Sequence, residues 1–178
     1  PVGAWVPARA CRQRDRCRFE PSNPIGGMFH ECVETATSGS DAAGADDALE
    51  ADSLLAAFEA CVHEAVEDDD RDQIRKETGL DSAEVAAVLD GDVASLTVEA
   101  GAAVLATTAE YDADTIVAEL RDHLLLGMTT AVLDVDPIAA EIAVDLTGQE
   151  VQQALEGRTA MTLEQLADVL AVIERRKR

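Results

Sequence analysis

The chain has 178 residues, of which 47% are hydrophobic and only 3% aromatic, so it can bury an aliphatic core but is poorly suited to a β-sandwich. Its formal net charge of −22 is typical of proteins from a salt-rich cytoplasm, and the regular apolar spacing argues against a disordered acidic chain. No stretch approaches the roughly 18–20 apolar residues of a membrane span, so we expect a soluble, cytoplasmic protein. The scarcity of aromatic residues predicts an all-α fold, and the acidic charge predicts that the source is a halophilic archaeon.

Residues 1–48 are predicted to be a disordered or non-native N-terminal extension and a linker. The first 27 residues are net basic and contain several Pro and Gly, and we interpret Met28 as the biological start. The alternative is a basic arm that contacts nucleic-acid phosphates through Arg12, Arg14, Arg16 and Arg18. Residues 34–48 are small, polar and acidic, which is typical of a linker.

The four cysteines form no C-x-x-C pair, so neither a redox motif nor a zinc ribbon is indicated, and free thiols are expected. Four potential zinc ligands occur in this part of the chain, but their spacing matches no common zinc-binding motif: Cys11, Cys17, His30 and Cys32. We therefore expect no metal and no cofactor.

Residues 49–109 contain four segments with helical periodicity. The first carries apolar residues at i, i+3, i+4 and i+7 spacing: Leu54, Leu55, Phe58, Cys61, Val62 and Val66. Three shorter segments follow, separated by Gly79 and Gly91. Asp81 and Glu84 form a predicted capping box, and Thr97 is a predicted N-cap. The pattern predicts a first bundle of four helices.

The same arrangement recurs in residues 110–178. A longer amphipathic helix is predicted from about Thr115 to Leu133, and shorter helical segments follow it. Residues of the two halves correspond at an offset of 64–66: Ile74 with Ile138, Glu77 with Glu141, Val85 with Val151, Leu89 with Leu155, Gly91 with Gly157, Thr97 with Thr162, Val98 with Leu163, Val104 with Val169 and Leu105 with Leu170. Because the offset changes only in turns, we interpret the chain as two copies of one unit.

Each copy resembles the lambda-repressor-like helix-turn-helix, the small helical DNA-binding fold of phage and bacterial repressors. The resemblance lies in "DQIRKETGLDSAEVAAVLDG" with "SLTVEAGAAVLA", and in "DPIAAEIAVDLTGQEVQQALEGR" with "MTLEQLADVLAVI". It implies two tandem helix-turn-helix bundles packed together. The second copy also resembles an uncharacterised haloarchaeal family that carries "RDHLLLGMTTAVLDVD", "EVQQ" and "MTLEQLA", which implies no activity.

The resemblance implies a DNA-reading surface in the second copy. In a helix-turn-helix the start and outer face of the second helix enter the major groove, and here they offer Gln149, Gln152 and Gln153. Glutamine can pair bidentately with adenine. The candidates for phosphate contacts are Arg158, Arg175, Arg176, Lys177 and Arg178. The first copy is expected to pack or dimerise, because the corresponding face of its second helix has few side chains that could recognise bases. The residues on that face are Ser82, Ala83, Glu84, Ala86 and Ala87.

The sequence contains no H-E-x-x-H, phosphate-binding loop or G-x-S-x-G, so we expect a protein without enzymatic activity. We interpret it as a transcriptional regulator that binds double-stranded DNA as a homodimer, although Glu141, Glu150 and Glu156 would lie near phosphates. The alternative is a protein-interaction module that has lost DNA binding. The stretch "HLLLGMTTAVL" favours this alternative because its apolar residues span more than one helix face, as they also would in a central packing helix.

Overall fold

The computed structural model describes residues 50–67 and 69–177. The predictions for residues 1–48, for the potential zinc ligands and for Arg178 lie outside these residues. The described chain is all α-helical, which confirms the predicted fold class. Its helices are α1 (Ala51–Ala65), α2 (Arg71–Thr78), α3 (Ser82–Asp90), α4 (Val98–Leu105), α5 (Ala113–Ala131), α6 (Val135–Glu141), α7 (Gly148–Leu155) and α8 (Leu163–Arg176).

The helices begin and end at local signals. Six of them start after a side chain that accepts a hydrogen bond from the backbone N–H three residues later: Asp70, Asp81, Thr97, Asp112, Thr147 and Thr162. The predicted capping box of Asp81 and Glu84 is confirmed. Gly91 and Gly157 adopt the left-handed conformation, with φ of 78° and 71°. The helix predicted from Thr115 starts earlier because Asp112 caps it.

One aliphatic core is shared by all eight helices. In α1 and the turn after it, Leu54, Phe58, Val62 and Val66 are buried. Four residues of α5 with the same spacing, 62 positions later, are also buried: Ile116, Leu120, Leu124 and Met128. The final helix is the most enclosed, since nearly every residue of the range 166–173 is below a few per cent exposed. Burial of this apolar area is the main stabilising contribution to the fold.

The first four helices pack on the last four. Helix α1 packs on α8, α5 packs on α4, and α4 contacts α8. At this contact, the N–H of Val98 donates to the carbonyl of Met161, and the N–H of Leu163 donates to the carbonyl of Leu96, both at 2.8 Å. The two threonine N-caps of α4 and α8 form an antiparallel bridge between these hydrogen bonds. The starts of α4 and α8 are therefore joined to each other by reciprocal backbone hydrogen bonds.

Cys61 is disulfide-bonded, so the expectation of free thiols is wrong for this residue. The other three cysteines precede residue 50. Spacing gave no signal of this bond, because a disulfide requires proximity in the folded chain and not a short sequence motif.

Candidate functional site

The predicted reading helix α7 begins with a capping box that holds a negative charge. The carboxylate of Glu150 accepts hydrogen bonds from the N–H of Thr147 at 2.8 Å and from its hydroxyl at 2.7 Å. These two hydrogen bonds, the backbone one first, lower the pKa of the Glu150 carboxyl. Glu150 is therefore ionised at neutral pH, and it lies on the exposed start of the helix that was predicted to enter DNA.

The three predicted glutamine readers do not share one environment. Gln149 and Gln152 are exposed and lie one helical turn apart, so the structure brings them together on the outer face of α7. Gln153 is half-buried, and its side-chain oxygen accepts a hydrogen bond from the hydroxyl of Thr159 at 3.4 Å. Two of the three residues are thus accessible on the same face of α7.

Glu156 joins two of the predicted DNA contacts, a feature that sequence reasoning missed. Its carboxylate accepts a hydrogen bond from the Gln152 amide at 3.0 Å and pairs with the Arg158 guanidinium at 2.7 Å. Helical spacing places Gln152 beside Glu156, but no sequence signal indicated that Arg158, beyond the helix end, turns back to the same carboxylate. The surface that Gln152 and Arg158 share therefore also carries the Glu156 carboxylate.

Two of the predicted cations at the C-terminal end of α8 are also paired with acidic residues. Arg176 forms an ion pair with Glu141 of α6, and Lys177 forms one with Glu174. Arg175 is exposed. These pairs set two of the predicted phosphate-contacting cations against carboxylates of α6 and α8.

A second surface lies where α5 ends. The stretch predicted as either a packing helix or a partner surface is partly buried and partly exposed: Leu124 and Met128 are buried, whereas Leu125, Leu126 and Val132 are 48%, 58% and 91% exposed. We name the exposed uncharged residues at this end of α5 the elbow surface: Leu125, Leu126, Thr129, Thr130 and Val132. A cluster of large exposed apolar side chains is characteristic of an interaction site.

Val132 occupies a costly conformation at the helix end. Its φ is 53°, and it is the only non-glycine residue with positive φ in the described chain. The described glycines with positive φ are Gly79, Gly91 and Gly157. A β-branched residue is strained there, whereas glycine is not. Leu133 nevertheless closes the turn by donating its N–H to the Met128 carbonyl at 2.9 Å. The chain therefore holds a valine, almost fully exposed, where glycine would fit at lower free energy.

The hydroxyl groups of the elbow surface are already used by the helix. The Thr129 hydroxyl donates to the Leu125 carbonyl at 2.9 Å, and the Thr130 hydroxyl donates to the Leu126 carbonyl at 2.8 Å. Since neither donor is directed at solvent, both threonines contribute mainly apolar character to the surface. Sequence reasoning identified the apolar residues of this stretch but gave no signal for the conformation of Val132 or for these hydrogen bonds.

Replacement of Val132 by glycine is expected to raise the free energy of unfolding by up to about 1 kcal/mol, because the strain of the left-handed conformation exceeds the extra chain entropy of glycine. The converse control is Gly79→Ala, where φ is also positive and nothing lies within 4 Å of an added Cβ, so backbone strain alone should destabilise. Urea denaturation monitored by circular dichroism measures both changes. A loss of stability in Val132→Gly would contradict the assignment of strain.

In the described part of the chain, no group of three or more His, Cys, Asp or Glu residues is arranged to hold a metal ion. Nor is any single described helix long and apolar enough to cross a membrane; α5 and α6 pass that test only as a pair bent by 94°. No curated protein and no solved structure matches the chain. Residues 54–176 match a family described as a family of unknown function (DUF5791).

Proposed function

Since the chain belongs to the DUF5791 family, whose function is unknown, we propose from the geometry that it is a non-enzymatic interaction module that binds a protein partner through the elbow surface. The observation that carries this proposal is the exposure of Leu125, Leu126 and Val132 on one end of α5 in a chain of net charge −22. Exposed apolar groups of this size are stabilised by burial, at roughly 25 cal/mol for each Å² removed from water.

The two halves of the chain supply a comparison in support. We interpret them as two copies of one unit, in which α1 corresponds to α5. The buried residues of these helices match in apolar character, but the exposed ones differ: where α5 has Leu125 and Leu126, α1 has His63 and Glu64. The packing of the fold therefore does not demand apolar residues at these positions. Their presence in one copy only is explained by a partner that contacts that copy.

The backbone strain at Val132 is a second line of support. Strained residues persist where the surrounding structure holds them, and they cluster at functional sites. Glycine would satisfy the helix end without strain, as it does after α2 and α3. A valine that is 91% exposed makes few contacts within the chain, so a contact with another molecule accounts for it better.

The test is site-specific photo-crosslinking in the source cells. A photoreactive phenylalanine analogue is placed at Leu126, and the matched control carries it at Glu64, the equivalent exposed position of α1. We expect position 126 to crosslink to a defined protein, and this product to be lost when Val132→Asp is added. The absence of a protein crosslink at 126, or the same product from position 64, would overturn the proposal.

A second candidate function is DNA binding through α7, which one observation favours: Gln149 and Gln152 are exposed together on the outer face of a helix that follows α6 and a turn. This order matches the helix-turn-helix resemblance of the second half. The pairing of Arg158 with Glu156 weighs against it, because DNA affinity draws largely on cations that neutralise phosphates.

Selection from fragmented genomic DNA tests the second candidate. If α7 reads DNA, the wild-type chain should enrich a short sequence, and Glu156→Gln should bind it more tightly because the change removes a carboxylate and releases Arg158. Gln149→Ala combined with Gln152→Ala should abolish the enrichment while leaving the helical circular dichroism spectrum unchanged. Equal affinity of wild type and Glu156→Gln would count against DNA contact at α7.

A further inference from the structure

We infer that the partner of the elbow surface is an amphipathic helix whose apolar stripe is bordered by lysine or arginine. This inference rests on the proposed function and specifies the chemistry of the partner. From Leu125 to Val132 the surface extends about 10 Å along α5, at about 1.5 Å per residue, which corresponds to roughly two turns of a partner helix. A helix with apolar residues at i, i+3 or i+4, and i+7 presents a stripe of that length.

The border of the elbow surface is acidic. Asp122 is exposed and lies one turn before Leu125 and Leu126 on α5. Asp134 is exposed two residues after Val132, and although it is the N-cap residue of α6, its side chain makes no cap hydrogen bond. Its carboxylate is therefore not used by the helix end that it precedes. Carboxylates on both sides of an apolar patch attract a partner with cations beside its apolar stripe.

Two cations near this surface do not reverse its charge. Arg121, one turn before Leu125 on α5, pairs with Glu99 at 3.1 Å. Lys177 approaches α5 at Gly127, where its Cε would lie 3.1 Å from an added Cβ. The Lys177 ammonium forms an ion pair with Glu174, so the two side chains together carry no net charge. The border charge that α5 and the turn after it present beside the elbow surface is accordingly that of Asp122 and Asp134.

The same acidic border argues against other occupants. A second copy of the chain, with its own charge of −22, would bring one acidic border against another. An anionic lipid surface or a phosphate backbone would meet the same repulsion. A helix that carries basic residues gains both apolar burial and charge attraction, and it is the one occupant that uses both properties of the surface.

The first test measures binding of two labelled peptides of about 18 residues to the full chain by fluorescence anisotropy, in about 0.15 M and about 1 M KCl. Both peptides carry the same leucine stripe, bordered by lysine in one and by glutamate in the other. We expect the lysine peptide to bind at least about tenfold more tightly, with the difference smaller in the higher salt. Equal binding of the two peptides would overturn the inference.

Variants separate docking at the elbow surface from general attraction to an acidic protein. Leu126→Asp should weaken binding of the lysine peptide by about tenfold or more, even though it makes the chain more acidic. The matched control, Ala83→Asp, adds the same charge on the exposed start of α3 and should bind at least as tightly as wild type. Circular dichroism at each salt concentration confirms that the variants are folded. Unchanged binding by Leu126→Asp would overturn the inference.

Photo-crosslinking at position 126 of the full chain distinguishes this inference from the proposed function. A product joined to a basic helical segment of another protein supports both. A product joined to an acidic or uncharged segment of another protein leaves the proposed function standing and overturns the inference. A product within the same chain, with a second copy, with lipid or with DNA overturns both.

Discussion

Replacement of Leu163 by alanine is expected to lower the free energy of unfolding by about 2–5 kcal/mol, the range for a large apolar side chain lost from a closed core. Leu163 is 0% exposed at the start of α8, and two of its methyl carbons would lie 3.4 Å from a Cβ added at Gly101 of α4. The side chain therefore fills the point where the two halves meet. Its removal leaves a cavity that rigid neighbours fill only in part.

Urea denaturation at constant high salt, followed by circular dichroism, measures this effect. Because the core is shared by both halves, the variant should unfold in one transition at a lower midpoint. The matched control is Leu126→Ala, which shortens an exposed leucine and should change the free energy of unfolding by less than about 1 kcal/mol. Two separate transitions, or an equal effect of the two substitutions, would contradict a shared core at Leu163.

Replacement of Asp168 by alanine is expected to cost about 1–3 kcal/mol, because two backbone donors lose their partner. Asp168 is a buried charged residue of α8, and its carboxylate accepts hydrogen bonds from the N–H groups of Ala143 and Val144 at 3.1 and 3.0 Å. These donors lie just after α6, in the turn that leads to α7. Their loss should loosen that turn first, so amide hydrogen exchange at both positions should accelerate more than elsewhere.

The control for Asp168 is asparagine, which keeps one acceptor oxygen and the side-chain volume. Asp168→Asn should lose less stability than Asp168→Ala, and the difference measures the hydrogen bonds apart from packing. The first half needs no such carboxylate, because α2 ends at left-handed Gly79 and the Leu80 N–H donates to the Thr78 hydroxyl at 3.2 Å. Unaltered exchange at Ala143 and Val144 in the alanine variant would show that the carboxylate does not hold the turn.

Sequence reasoning succeeded where structure depends on neighbouring residues. The capping box of Asp81 and the glycine turns at Gly79 and Gly91 follow from interactions within a few residues, and all are confirmed. The apolar period also predicted the helices, with α5 displaced at its ends. The same local patterns hold the helical fold together, so the fold class could be predicted from them.

The candidate sites depended on contacts that no local pattern encodes. Whether Leu125 is buried depends on which face of α5 packs against α4 and α8, and the period of that helix allowed either answer. The ion pair between Arg176 and Glu141 joins residues far apart in the chain. Likewise, the left-handed conformation of Val132 contradicts the preference of valine, so a prediction from preference could not find it.

The packing of the first four helices on the last four has a consequence for mass action. Two separate subunits that bury a common interface lose stability on dilution, because dissociation is favoured as their concentration falls. In this chain, residues 106–112 join α4 to α5 and hold the two halves at a high effective concentration that dilution does not change. The folded state should accordingly persist at any protein concentration. The number of molecules in a cell would then set how many elbow surfaces are available for binding, without altering the structure of each one.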